Sequence, residues 1–191
     1  MNYAGFWRRL GAGLLDMAVT FPFGLLTIWV YSQSPLAPTI WLLPLFSFGV
    51  WFNVYLVRRY GGTPGKLLLG LCIVRVDGSP IGYKESVLRH LPLLVSGLLI
   101  STALVFGSWK LAEAEYLALA FKPRQMRMEQ LAPSWYQQVL VFEQIWLWGE
   151  FLVMLINAKR RALHDYIAGT VVVLKDSVQQ APATDATELR S

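Results

Sequence analysis

Arg9-Leu-Gly-Ala-Gly-Leu-Leu-Asp16, followed by the uncharged run Met17–Tyr31, is the stretch that decides the fold. Between Leu10 and Tyr31 the only charged side chain is Asp16, set among leucines, aromatics and glycines. An apolar helix of ~20 residues crosses the ~30 Å hydrocarbon core of a bilayer, so this segment reads as a membrane span. Arg9 and Asp16 lie about two helical turns apart, which puts them on one face and ~10 Å apart along the axis. A carboxylate inside a membrane helix costs at least ~2.5–3.5 kcal/mol and therefore turns toward a partner or a cavity.

Working outward, three further runs are long and apolar enough to cross, giving spans near 10–31, 39–57, 91–108 and 136–157. Arg8 and Arg9 ahead of an apolar stretch imitate a secretory signal. That stretch is long, carries Asp16 and lacks a convincing small-x-small cleavage site, so it is expected to be retained. Only 15% of the 191 residues are charged, against about a quarter in soluble domains, and the mean hydropathy is +0.44. Eight tryptophans suit the interfacial belts of a membrane protein. The net charge of +5 sits on residues that flank the spans rather than line a groove, which argues for the lipid bilayer and against nucleic acid as a partner. One cysteine, Cys72, excludes an internal disulfide.

Thirteen of the seventeen Lys and Arg residues fall on the N-terminal side of the spans; Lys110, Lys122, Arg124 and Arg127 fall on the other. The positive-inside rule then predicts both termini in the cytoplasm of a multi-pass inner-membrane protein. Residues 109–138 become an outer loop in which Leu111–Phe121 is built of helix formers and suits an interfacial helix or a docking surface. Residues 177–191, rich in Ala, Thr and Gln, read as a disordered tail behind a domain of residues 1–176.

The connections on the basic side repeat a pattern. With Gly70 laid on Gly169, Lys66-Leu-Leu-Leu-Gly-Leu-Cys-Ile-Val-Arg-Val-Asp77 overlays Asp165-Tyr-Ile-Ala-Gly-Thr-Val-Val-Val-Leu-Lys-Asp176. Each begins with a helix-compatible turn, bends at glycine and continues as a β-branched run that predicts a strand. Arg9 and Arg89 stand at the feet of spans one and three, so the chain reads as two copies of span–span–turn–strand. Copies with one membrane orientation are related by an axis along the bilayer normal. The two strands are expected to pair, because a lone strand leaves its backbone groups unsatisfied. The fold class predicted is an all-α membrane protein of four helices with a small cytoplasmic two-stranded β element.

Three blocks of the chain resemble the signatures of the RDD family, bacterial multi-span membrane proteins named for one arginine and two aspartates. They are Ala4–Asp16, Gly62-Thr-Pro-Gly-Lys-Leu-Leu-Leu-Gly-Leu71 and Arg160-Arg-Ala-Leu-His-Asp-Tyr-Ile-Ala-Gly-Thr-Val-Val-Val173. Matched residue by residue, the resemblance puts the arginine on Arg9 and the aspartates on Asp16 and Asp165. Leu67 departs from the pattern, where relatives commonly carry a basic residue. The resemblance implies a fold and a bacterial inner-membrane location, and it suggests transport.

Counted from the basic ends of their spans, Asp16, Asn53 and Glu150 fall at similar depth, and Glu143 lies two turns beyond Glu150 on one face. One reading is an ion path running Glu143, Glu150, Asp16 and Asn53 to Arg9, His164 and Asp165, since buried carboxylates serve proton or cation transfer. The other is that Asp16 pairs with Arg9 or another arginine to lock helix packing, with Glu143 interfacial. Asp165 likewise reads as a cap and ion-pair partner of Arg59 or Lys66, and His164 as a group that titrates near neutral pH or simply faces head groups.

Enzyme signals are absent. Gly61-Gly-Thr-Pro-Gly-Lys66 lacks the first glycine and the final Ser or Thr of a phosphate loop; Thr63 and Pro64 fit a helix start instead, as N-cap and first helical residue. The sequence carries no His-x-x-x-His, Cys-x-x-Cys or Gly-x-Ser-x-Gly, so no cofactor, metal site or catalytic residue is expected. Two classes of function stay open: a small transporter, expected as a homodimer because four spans enclose little room, and an adaptor or assembly factor binding another membrane protein.

Overall fold

The computed structural model describes residues 2–179. Four helical stretches are long and apolar enough to cross a membrane. The first is α1 (Phe6–Tyr31). The second runs through α2 (Ala37–Val50), a π-helical turn (Trp51–Tyr55) and α3 (Leu56–Tyr60). After Gly61 come the short α4 (Pro64–Leu68) and strand β1 (Leu71–Arg75). The third span is α5 (Tyr83–Trp109), followed by α6 (Glu113–Ala118) and α7 (Phe121–Leu131). The fourth is α8 (Tyr136–Ile156), and the chain closes with α9 (Leu163–Ala168), β2 (Thr170–Leu174) and α10 (Lys175–Gln179). The expected tail at 177–191 therefore starts inside a short helix, and its residues 180–191 lie outside the described residues.

β1 and β2 pair antiparallel, and their register carries the internal symmetry. Leu71 faces Leu174, Ile73 faces Val172 and Arg75 faces Thr170. The shift that lays Gly70 on Gly169 carries Leu71 to Thr170 and Arg75 to Leu174, so the outermost pairs exchange and Ile73↔Val172 maps onto itself. A pseudo-two-fold axis thus passes through the centre of the ribbon. Gly70 and Gly169 both stand at φ +65°, the left-handed conformation that glycine adopts without penalty. α4 packs on α1 as α9 packs on α5, which extends the relation to the helices. Because spans one and three run in the same direction, the axis lies along the span direction, and the ribbon lies flat across the helix ends.

Both ribbon edges are covered. The Ala4 N–H donates to the Val172 carbonyl and Leu174 N–H to that of Asn2; on the other side, Ile73 N–H donates to Gly61 and Arg75 N–H to Ser79. Val171, Val172 and Val173 are buried as a result.

α5 is the central span, packed against α2, α7, α8 and α9. Apolar cores sit at opposite ends of the bundle, and the ribbon adds a small cluster of Val74, Val171 and Val173. The ribbon end gathers Ala4, Ala12, Val57, Leu71, Ile73, Ile81 and Val172. The loop end gathers Ala103, Leu104, Leu111, Tyr116, Met128 and Tyr136. In the most apolar window of α1 no residue is buried inside the protein, and in α8 only 6% of it is, as lipid-facing helices require.

The 109–138 loop differs from the single interfacial helix expected over 111–121. It breaks after Ala118, and a second helix, α7, follows. Arg124 causes the break to hold: buried, it donates to the carbonyls of Tyr116, Leu119 and Tyr31 and so satisfies chain ends that no helix serves. α7 lies directly on α5, where a Cβ on Gly107 would come within 2.2 Å of the Met128 carbonyl oxygen.

Candidate functional site

The polar residues gather at the ribbon end in two groups. The first is built on Asp165, at the third position of α9, whose side chain has no exposed surface. Its Oδ2 accepts from Arg9 Nη1 at 2.7 Å and from the Ala162 N–H at 3.0 Å, which caps α9. Its Oδ1 accepts from Arg89 Nη1 and from the Thr170 hydroxyl at 3.2 Å. The carboxylate therefore ties spans one and three to the hairpin that joins α9 to β2. Burial alone would push its pKa up; the guanidiniums of Arg89 and Arg9 outweigh that and hold it well below the usual carboxylate range. Arg161 closes the shell by donating to the Asp165 and Thr170 carbonyls while stacking over the Tyr166 ring.

His164 carries the network into the membrane. Arg89 Nη2 lies 2.9 Å from its Nε2, and Glu150 Oε1 lies 2.5 Å from its Nδ1. An arginine N–H cannot accept, so Nε2 is the acceptor and Nδ1 carries the proton that it donates to Glu150. Glu150 projects from α8 toward the protein interior, and the chain of contacts runs Glu150–His164–Arg89–Asp165–Arg9 without a break.

The second group is built on Asp16. Its Oδ2 accepts from the Thr63 hydroxyl at 2.5 Å, its Oδ1 from the Gly65 N–H at 2.7 Å, and the Lys66 ammonium stands 3.6 Å away. Thr63 and Pro64 do occupy the N-cap and first-turn positions of α4, but the capping oxygen comes from Asp16, one helix away. Close approach makes this reach attainable: a Cβ on Gly65 would meet the Ala12 carbonyl oxygen at 2.2 Å and the Asp16 backbone nitrogen at 2.7 Å. The two halves thus cap equivalent helices differently, α4 from a neighbouring span and α9 from within.

Three sequence expectations are corrected here. Arg9 pairs with Asp165, not with Asp16 on its own helix. The counter-ions of Asp165 are Arg9 and Arg89, whereas Lys66 belongs to Asp16 and Arg59 stacks against Tyr60. Asn53, in the π-helical turn, donates to the Gly49 carbonyl of its own helix and bonds neither Asp16 nor Glu150 among the described residues. Glu143 lies two turns from Glu150 along α8 and receives a long 3.5 Å contact from Ser96 of α5. Arg89, Thr63, Gly65 and Thr170 are the site residues that sequence reasoning did not single out as such; for Arg89 the available signal was its place at the foot of span three, matching Arg9 at the foot of span one.

A cavity of about 370 Å³ adjoins both groups, with Arg9, Lys66, Arg89, Glu150 and His164 in its polar wall. It lies between α1 and α8, which touch near its base through Phe6 and Phe151, rings 5.9 Å apart.

Four membrane-length helices, an antiparallel ribbon across their ends and a buried arginine–aspartate network beneath it define a class of multi-span membrane protein. The chain belongs to the RDD family: the family model matches residues 3–169, nearly the whole described chain. Compared with curated proteins and with solved structures, it shows no significant match.

Proposed function

We propose that this RDD-family protein moves protons or small cations across a bacterial inner membrane, with Glu150 and His164 as the pair that binds the moving charge. One observation carries the reading. A carboxylate within an apolar span turns inward, into the wall of a cavity, and hydrogen-bonds an imidazole whose other nitrogen touches the arginine–aspartate network at the helix ends. Intramembrane carboxylates arranged in relay with histidine mark ion pathways, and histidine changes charge near neutral pH more readily than any other side chain. Glu143, ~10 Å further along α8, extends the polar face toward the other side. The Arg9–Asp165–Arg89 network serves as the scaffold that fixes His164. In this reading the termini are cytoplasmic, the protein works as a homodimer, and it performs no covalent chemistry.

The test is flux in proteoliposomes. Glu150→Gln keeps the shape but removes the charge and the proton-binding site, so pH- or cation-dependent flux is expected to vanish while the melting temperature holds. Undiminished flux in a folded Glu150→Gln protein would end the reading. An adaptor role would then lead, and the half-exposed Leu117, Phe121 and Met126 on α6 and α7 are the surface that favours it.

A further inference from the structure

Of the three Lys and Arg side chains in the cavity wall, one is only half used. Arg89 is met by Asp165, Thr170 and His164, and Lys66 by Thr63 and Asp16. Arg9 donates from Nη1 to Asp165, but its Nε and Nη2, both buried, have no hydrogen-bond partner among the described residues. Its side chain is only 9% exposed. Leaving two donors of a buried guanidinium unmade is unfavourable, and the guanidinium fork matches the oxygens of a phosphate or carboxylate.

The surroundings of Arg9 say what kind of anion fits. It stands in the wall of the 370 Å³ cavity beside Lys66 and Arg89; Glu150 in that lining is engaged with His164, and Asp165 and Asp16, which pair with the three cations, are not among the lining residues. The rest of its lining is mainly apolar and includes Leu14 and Met17 of α1 and Leu147 and Phe151 of α8. Leu14, Met17 and Leu147 are 58%, 66% and 45% exposed, on helices whose spans face lipid, so the cleft continues sideways into the acyl-chain region. Arg9 is also the fourth residue of α1, ~5 Å from its start, the depth at which hydrocarbon gives way to head groups. A charged floor, an apolar flank and that depth describe an amphiphile.

We propose that the cavity binds an anionic phospholipid, its phosphodiester at Arg9 with Lys66 and Arg89 nearby and one acyl chain in the cleft between α1 and α8. This goes beyond the transport reading and does not depend on it, since no step requires Glu150 to carry charge.

The experiment uses the full chain, delipidated in detergent. Phosphatidylglycerol, phosphatidylcholine with the same chains, or inorganic phosphate is added, and binding is followed by native mass spectrometry alongside melting. Phosphatidylglycerol is expected to bind at least about tenfold more tightly than phosphatidylcholine and to raise the melting temperature, with inorganic phosphate inert. Met17→Trp and Leu147→Trp fill the cleft from its exposed side, so they should melt as wild type without lipid yet lose the preference. Equal binding of the two lipids overturns the proposal, as does stabilisation by inorganic phosphate equal to that by phosphatidylglycerol, which would assign the site to a soluble anion. Retention of the preference by both tryptophan variants overturns it as well. Glu150→Gln should keep the lipid preference even where flux is lost, which separates failure of this inference from failure of the transport reading.

Discussion

Asp165→Ala should destabilise the protein far more than Asp16→Ala, although Asp16 is the residue within the hydrocarbon span. Asp165 is fully buried and pairs with two buried arginines, whose side chains are 9% and 7% exposed. Removing one partner of such a set costs ~3–5 kcal/mol, because the remaining charges stay buried without compensation. Losing the acceptor for the Ala162 N–H adds ~1 kcal/mol for the cap. The total of roughly 4–6 kcal/mol approaches the whole stability of many domains, and at ~2–4 °C per kcal/mol it lowers the melting temperature by roughly 10–20 °C. Asp16→Ala frees the Thr63 hydroxyl and the Gly65 N–H, and Lys66 keeps access to solvent at 22% exposure. That loss is worth ~1–3 kcal/mol. Asparagine separates the contributions: Asp16→Asn still accepts one hydrogen bond and should melt near wild type, whereas Asp165→Asn keeps the cap but not the charge and should melt near Asp165→Ala. Thermal melting of the four variants in one detergent is the assay. Asp16→Ala melting below Asp165→Ala, or Asp165→Asn matching wild type, would refute the reasoning.

Acid should act through the same carboxylate. Because its folded pKa is depressed, Asp165 contributes its full stability above the ordinary value of 3.8 and loses it as pH falls below that. Melting temperature should therefore drop more steeply below pH 4 in wild type than in Asp165→Asn, measured as a pH series. Gly65→Ala and Gly107→Ala force a Cβ to within 2.2 Å of a carbonyl oxygen on the facing helix and should each cost ~1–3 kcal/mol. Gly11→Ala, which meets only the flexible end of Leu69 at 3.3 Å, should cost less on the same melting assay. For topology, a cysteine at position 120 on a Cys72→Ser background should react with an impermeant thiol reagent in intact cells, and labelling only after permeabilisation would reverse the assigned orientation.

Hydropathy was enough to find the four spans, because a bilayer accepts only long apolar segments that satisfy their own backbone and carry few charges. The ribbon was legible too: two β-branched runs, each after a glycine, were expected to pair because a lone strand leaves its backbone groups unsatisfied, while their register and the segments that cover their edges came only with the structure. Arg9, Asp16, Glu150, His164 and Asp165 could be named from type and position. Their partners could not. Sequence spacing put Arg9 and Asp16 on one helix face, yet Arg9 crosses to Asp165 and Asp16 reaches α4, because the close approach at Gly65 brings a helix N-terminus within reach of that carboxylate. Asn53 shares a depth with Asp16 but bonds its own helix instead, since depth follows from counting residues whereas azimuth is set by how helices pack. Charge and hydropathy are local properties that each residue carries along the chain; which carboxylate meets which arginine is decided only when the two halves close around their common axis.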